Sequence, residues 1–318
     1  MIYIFLFLLS LLSTYLIKNI AIKNSLVDIP NERSSHSIPT PHGGGIAIAL
    51  TWFVGITYLY FTDDINSSLY FALVVGVIIS VVSYFDDLYD LSAKVRLFAQ
   101  ALVAILGLYF LGGLEKIDLV VFSIENQILT NILGFLIIVW FINLYNFLDG
   151  IDGYAGSEAI FLALAGFLLF SGTHFLVLIV AVAGFLVFNW HKAKIFMGDV
   201  GSTLLGYNVA IFTIYYQNEG TSLLVWLVLF GLFFFDASIT LFRRFKNGEK
   251  LTQAHKKHAY QRLTQIGFSH DKVALFLIFV NIILFLIVYY IENLLVAFFI
   301  SMLLLYAIVK FIDYKKAF

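Results

Sequence analysis

The 318-residue chain has no cysteine. Disulfides and thiolate metal sites are therefore excluded, and any metal must be held by Asp, Glu, Asn or His. Proline is almost missing as well: Pro30, Pro39 and Pro41 are the only three, all in one short segment. Charge is scarce, with 12% Asp, Glu, Lys and Arg against 61% hydrophobic residues. A soluble domain is nearer a quarter charged and half apolar. The net charge of −1 offers no whole-molecule attraction for nucleic acid. No long repeat, low-complexity tract or soluble domain is visible.

What the chain has instead is apolar sequence in runs of roughly 18 residues or more, each long enough to cross a hydrocarbon core of about 30 Å. The fold class this predicts is an all-α polytopic membrane protein, a single integral domain over residues 1–318. A β-barrel would alternate apolar and polar positions, and these runs do not. The opening MIYIFLFLLSLLSTYLIKNIAIK has no basic residue before its apolar run and no small-residue cleavage site, so it reads as a retained first span. Eleven spans are expected, at about 1–18, 44–62, 67–84, 96–113, 126–143, 157–172, 174–189, 203–217, 221–241, 273–291 and 294–310. Lys and Arg then divide 18 to one, with Lys116 alone on the side of the short turns. The positive-inside rule predicts an outside N-terminus and a cytoplasmic C-terminus. It also makes cytoplasmic the loops at about 19–43, 85–95, 144–156, 190–202 and 242–272.

Five polar clusters fall in those loops. VDIPNERSSHSIPTPHGGG is extended and turn-rich because of its prolines. Its Arg33, His36 and His42 suit phosphate, although an ordinary topogenic loop reads the same way. FDDLYDLSAKVRLFAQ ends the third span with Asp86, Asp87 and Asp90. Positions i and i+4 share a helix face, so Asp86 and Asp90 are expected to point together. Carboxylates so placed repel one another, which a divalent cation relieves, and Lys94 and Arg96 follow with the sign for phosphate. NLYNFLDGIDG carries Asn143, Asn146, Asp149 and Asp152 at a spacing of three, a slowly drifting polar stripe on a helix. Helix capping needs one such residue and not four in register. Hard oxygen donors of this kind suit Mg²⁺.

NWHKAKIFMGDVGST sets Asp199 between Gly198 and Gly201 at the start of a helix, with Ser202 and Thr203 as caps. LFRRFKNGEKLTQAHKKHAYQRLTQIGFSH holds His255, His258 and Arg262. Two His make a weak zinc pair, and phosphate or sugar contacts suit the trio better. A basic segment lying on anionic lipid is the plainer alternative. Asp236, in FFFDASITLFRRF, falls inside a span. Intramembrane carboxylates mark functional sites by default, and pairing with Arg243 is the alternative.

Taken in order, D-D-x-x-D, N-x-x-N-x-x-D-G-x-D-G, M-G-D-x-G-S and a late His motif resemble the polyprenyl-phosphate N-acetylhexosamine-1-phosphate transferases, a group of glycosyltransferase family 4. The resemblance runs from the first loop to the fifth. AHKKHAYQR is similar to the H-R-S-H-A-Y-Q stretch of the O-antigen-initiating subgroup, with Lys256 and Lys257 where Arg-Ser is usual. That subgroup favours 6-deoxy sugars such as FucNAc or QuiNAc. The H-H-H pattern of the peptidoglycan enzyme is absent, which argues against a pentapeptide-bearing donor.

The resemblance implies transfer of a sugar 1-phosphate from a UDP-N-acetyl sugar to undecaprenyl phosphate, releasing UMP and starting a cell-surface polysaccharide. It implies Mg²⁺, with Mn²⁺ as an alternative, on Asn146 and Asp199. Asp86 and Asp87 become the catalytic pair. Asp149, Asp152 and Gly198 become nucleotide contacts, with Lys94, His255, His258 and Arg262 on phosphate and sugar. Arg33 and His36 are candidates for the lipid phosphate. The place implied is the bacterial inner membrane, with the site on its cytoplasmic face; a homodimer is compatible. An intramembrane prenyltransferase also uses D-D-x-x-D, but it has no role for a glycine-flanked Asp199. A transporter would put its polar residues near the bilayer midplane and not at one face.

Overall fold

The computed structural model describes residues 1–30, 35, 38–119, 121–251, 253 and 255–318. Arg33 and His36 lie outside the described residues. The described chain runs α1 Ile2–Lys23, β1 Val27–Asp28, β2 Thr40–Pro41, α2 Gly45–Phe61, α3 Ser67–Val74, α4 Gly76–Tyr89, α5 Ala93–Leu111, β3 Ile117–Asp118 and β4 Ser123–Ile124. It continues through α6 Gln127–Phe147, α7 Tyr154–Phe170, α8 Thr173–Asn189, α9 Asp199–Asn218, α10 Leu224–Leu229, α11 Gly231–Lys246, α12 Ala259–Gln265, α13 His270–Tyr290 and α14 Leu294–Lys315. The strands form two small antiparallel ladders, Val27 opposite Pro41 and Ile117 opposite Ile124. Six segments (α1, α3 with α4, α5, α6, α13 and α14) are long and apolar enough to cross a bilayer. With the shorter apolar α2, α7 and α8 around them, this is an all-helical multi-pass membrane protein.

Each segment expected as a span is helical or a broken pair of helices, although among the described residues only six are long and apolar enough to cross a bilayer. The segments expected at 67–84 and 221–241 are the broken ones, interrupted at Val75 and Phe230 without any proline. At the first break Tyr207 of α9 reaches across and donates its hydroxyl to the Ala72 carbonyl at 2.7 Å. Backbone groups freed inside a membrane protein must find such partners. Gly76 makes room for α9 here, since a Cβ on it would meet Leu204 Cδ1 at 2.8 Å.

The helix α9 is the axle of the bundle. Every residue from Val200 to Ile214 is buried, against α6, α4 and α2 above all. It can carry Ser202, Thr203, Asn208 and Thr213 because its neighbours are protein and not lipid. A Cβ on Gly206 would stand 2.6 Å from the Phe141 carbonyl oxygen of α6, so only glycine permits this backbone approach. The outer helices show the reverse pattern, with Ile4, Phe5, Leu8 and Leu12 of α1 all exposed.

The segment before α9 is stitched to the end of the first loop. Phe196 donates its N–H to the Pro41 carbonyl at 2.8 Å, while Gly44 and Gly45 donate to the carbonyls of Phe196 and Met197 at 2.9 and 2.7 Å. These bonds bring the Gly43–Gly45 turn and the Gly198–Asp199 turn side by side.

Candidate active site

The three aspartates that end α4 do not share a face. Asp90 is the helix C-cap, in the left-handed region at φ 49°, and is exposed. The helix stops one residue short of what an i, i+4 pair requires, so the expected pairing of Asp86 with Asp90 does not occur. Asp86 turns inward: Oδ1 accepts from the Leu91 N–H at 2.8 Å and Oδ2 from Arg96 Nη1 at 3.2 Å. Asp87 turns to a different side, where its Oδ1 accepts the N–H of Asp199 at 3.2 Å. Its Oδ2 is buried with no hydrogen-bond partner.

The Asn/Asp stripe is likewise divided. Asn143 and Asn146 lie on α6, which ends at Phe147, while Asp149 and Asp152 lie in the loop beyond it. Asn143 exchanges amide hydrogen bonds with Gln100, at 2.8 and 3.3 Å. Asn146 donates to Asp199 Oδ1 at 2.9 Å and to Ser202 Oγ at 3.0 Å. Ser202 and Thr203 do not cap α9. Gly198 is the N-cap, at φ 75°, and the Thr203 hydroxyl donates back to the Asp199 carbonyl at 2.7 Å. A side chain on Gly198 would be strained by that φ and would crowd Asp87 Oδ2 at 2.9 Å.

Two cavities meet at the Asn146–Asp199 pair. One, of about 710 Å³, is walled by Asp87, Asp149, Gly150, Asp152, Asn189, Gly198, His42 and His270. The other, of about 630 Å³, has Asp86, Arg96, Gln100, Asn143, His255 and His258 among Ile79, Val82, Leu97, Trp140, Phe147 and Leu241. Asn146, Asp199 and Gln261 line both. The first cavity is lined mainly by polar and charged side chains, with Val27, Ile151, Phe196 and Met197 among them; the second is a polar patch set in an apolar wall.

The charges are tuned by these surroundings. Asp149 is hemmed in by protein, and burial together with the Asp199 and Asp87 carboxylates pushes its carboxyl well above the usual range. Burial, with the neighbouring His258 and Arg244 adding to it, holds His255 down at about 4, so it is neutral at physiological pH. Burial also lowers His42, against the pull of Asp28. Burial would raise Asp152, but the His270 and His191 rings beside it and the Ala193 N–H outweigh that and hold its carboxyl below the ordinary value.

The last loop is arranged by salt links. Asp236 does not pair with Arg243. It accepts the N–H groups of Ala259 and Tyr260 at 2.8 and 3.4 Å, capping α12, and stands 3.5 Å from His258 Nδ1. Arg243 is held by both oxygens of Asp313, at 2.9 and 2.8 Å. Arg262, expected on phosphate, is taken up by the same Asp313 at 2.7 Å and by the Lys316 carbonyl at 3.0 Å, and lines neither cavity. Lys94 is exposed at the start of α5 and lines neither cavity. Arg96, two residues on, lines the apolar-walled cavity beside Asp86 while remaining partly exposed.

Asp86, Asp87, Asn146, Asp149, Asp152, Gly198, Asp199, His255 and His258, all expected from the sequence, line the two cavities. Gln100, Asn189, Gln261 and His270 line them as well and were not expected, nor was His191, which stands beside Asp152. His191 stands eight residues before Asp199 in the same loop, and His270 one residue past a serine that opens a helix; those placements were the available signals.

A hard divalent cation fits the junction. Asp87 Oδ2 is buried and unpartnered, Asp149 and Asp199 add carboxylates beside it, and Asn146 adds a carboxamide. Oxygen donors of this kind suit Mg²⁺.

A profile of the family named Glycosyl transferase family 4 matches residues 69–217, the stretch from α3 through α9 that supplies this junction. Over 298 residues the chain is 34% identical to a Bacillus subtilis (strain 168) protein named "Probable undecaprenyl-phosphate N-acetylglucosaminyl 1-phosphate transferase", covering 87% of this chain and 81% of that one. It is 30% identical to a Yersinia pestis undecaprenyl-phosphate alpha-N-acetylglucosaminyl 1-phosphate transferase, over 85% of this chain and 77% of the other. A Mycobacterium leprae decaprenyl-phosphate N-acetylglucosaminephosphotransferase is 29% identical, over 83% and 76%.

Proposed function

The chain belongs to glycosyl transferase family 4 and is a glycosyl-1-phosphate transferase, and on that premise we propose that it moves N-acetylglucosamine 1-phosphate from UDP-N-acetylglucosamine to undecaprenyl phosphate. One observation carries the reading: a polar cavity and an apolar-walled cavity share the Asn146–Asp199 pair. A water-soluble nucleotide sugar suits the first and a prenyl chain the second, so their phosphates meet at the shared wall.

The lipid phosphate oxygen attacks the β-phosphorus of the donor, the bond to UMP breaks, and a lipid diphosphate sugar remains. Phosphate monoesters have a second pKa of about 6, so the acceptor is already mostly a dianion at neutral pH and needs no strong base. The difficulty is bringing two anions together. Arg96, beside Asp86 in the apolar-walled cavity, supplies a fixed cation for the acceptor phosphate. His255, neutral and half-buried, adds hydrogen bonding without a second charge. A Mg²⁺ ion held by Asp199, Asp87 and Asn146 would neutralise the donor diphosphate. Direct displacement is favoured over an aspartyl-phosphate intermediate, because Asp86 and Asp87 each have an oxygen committed to a backbone N–H. A phosphorylated aspartate trapped at either position would refute that. Exchange of one anhydride for another leaves the equilibrium near unity, so added UMP should reverse the reaction.

The proposed setting is the bacterial inner membrane with the site facing the cytoplasm. UMP release from purified protein with undecaprenyl phosphate, Mg²⁺ and a panel of UDP-N-acetyl sugars tests the reading. Release with UDP-N-acetylglucosamine is expected. Release only with a 6-deoxy donor would shift the assignment to the O-antigen-initiating subgroup, as AHKKHAYQR suggests. No release with any donor, while an isoprenyl diphosphate is consumed, would sink it.

A further inference from the structure

Three side chains from three separate segments converge beside the polar cavity: Asp152 after α6, His191 after α8 and His270 at the first position of α13. One ligand atom of each lies within 4.8 Å of the others. His191 Nδ1 is 2.8 Å and His270 Nδ1 3.2 Å from the same oxygen, Asp152 Oδ2. Asp152 and His270 side chains are nearly buried, at 7% and 11% exposure, and His191 is at 25%.

The hydrogen bonds around His270 set a conflict that a cation resolves. Its Nε2 faces the Ser35 carbonyl at 3.1 Å, an acceptor only, so Nε2 carries the proton. In neutral imidazole Nδ1 is then a bare lone pair, and it accepts the Asp152 N–H at 3.3 Å. That same lone pair confronts Asp152 Oδ2, acceptor against acceptor. A histidine that donates its far N–H to a backbone carbonyl and turns its near lone pair inward is arranged as metal-ligating histidines are. The spacing also fits. With metal–nitrogen and metal–oxygen bonds of about 2.0–2.2 Å at a tetrahedral angle, ligand atoms stand about 3.4 Å apart. From 2.8 and 3.2 Å, the two distances to Asp152 Oδ2 would open by about 0.6 and 0.2 Å.

We propose that Asp152, His191 and His270 form a zinc site, separate from the hard-oxygen junction at Asn146 and Asp199, with its fourth position open to the cavity. Two imidazoles and one carboxylate suit Zn²⁺ where Mg²⁺ prefers oxygen alone. The ion would clasp the loop after α6, the connection before α9 and the start of α13, with Ser35 of the first loop tied in through His270. Asp152 is then a ligand in that clasp, and its part in the nucleotide wall is indirect. The proposal stands whether or not the transfer reading holds.

The test uses untagged full-length protein in detergent, equilibrated with buffered Zn²⁺, dialysed and analysed for metal, and in parallel titrated with Co²⁺ after stripping. About one Zn²⁺ per chain is expected, with a visible Co²⁺ band of four-coordinate intensity that excess Mg²⁺ leaves intact. His191→Ala and His270→Ala should each weaken Co²⁺ binding by more than the roughly 10–100-fold that loss of an outer partner costs. Wild-type protein that retains no zinc and gives no band overturns the proposal, and the cluster is then a hydrogen-bonded His–Asp group only. A band of unchanged intensity in both variants also overturns it, since the metal would be elsewhere. The wild-type measurement decides even if a variant fails to fold.

Discussion

Asp87 Oδ1 accepts the backbone N–H of Asp199 at 3.2 Å, so a carboxylate at the end of α4 caps the N-terminus of α9, 112 residues away. The positive end of a helix favours an anion there. The bond fixes the second oxygen of Asp87 beside Gly198, where it has no other partner. One oxygen thus caps the helix while the other stays available for the proposed cation.

Asp87→Asn should therefore cost activity heavily, on the order of 10²-fold or more in kcat, the range for removing one preorganised electrostatic group. Asp90→Asn, at an exposed C-cap, should stay within about twofold. Steady-state kinetics of the two variants side by side decide it. Equal losses would mean that the D-D-x-x-D set acts as a unit.

Asp149→Asn should stabilise the protein without divalent ions and blunt its stabilisation by Mg²⁺. The folded carboxyl is raised by burial and by Asp199 and Asp87, so the folded state holds its proton more tightly than the unfolded state. Such a group destabilises increasingly as pH rises above its unfolded value of about 3.9. Thermal unfolding at pH 7 with EDTA and with Mg²⁺ gives both numbers. A lower melting temperature of the variant in EDTA would reject the repulsion.

Arg96→Ala and Arg262→Ala should separate function from stability. Arg96 lies in the apolar-walled cavity, and its loss should raise KM for the lipid acceptor while leaving KM for the donor near its wild-type value. Arg262 is buried against Asp313, which keeps Arg243, so its loss should cost about 2 kcal/mol of stability with both KM values retained. The reverse pattern would restore Arg262 to the phosphate site.

His255 should leave a mark on acid stability. Its folded pKa of about 4 lies below the unfolded value of about 6.5, so the unfolded state takes up its proton first. The contribution of His255 is present above pH 6.5 and is lost as pH falls from there towards 4. His255→Gln should flatten the decline of the melting temperature across that window. An unchanged slope would mean that this histidine is not held neutral.

The sequence by itself determined the class and the polar side chains from which a site can be built. Apolar runs too long and too uncharged for a soluble core made a helical membrane protein, and hard oxygen donors between glycines marked where charge must be held. Residue identity and local spacing are enough for both. Asn146, Asp149 and Asp199 were legible in this way, as was the helical nature of every expected span. Tertiary structure decided which carboxylate faces which partner. Asp86 and Asp87 are neighbours, yet one turns to Arg96 and the other to Asp199, because α4 ends at Tyr89 and the next helix returns beside it. Arg262 matched a phosphate-binding pattern but found Asp313, a residue contributed by the last helix. His191 and His270 read as unremarkable loop residues 79 positions apart until the fold brought both to one oxygen of Asp152. Local pattern sets what a segment can be, whereas pairing between distant side chains depends on where helices stop and cross, which no single segment encodes.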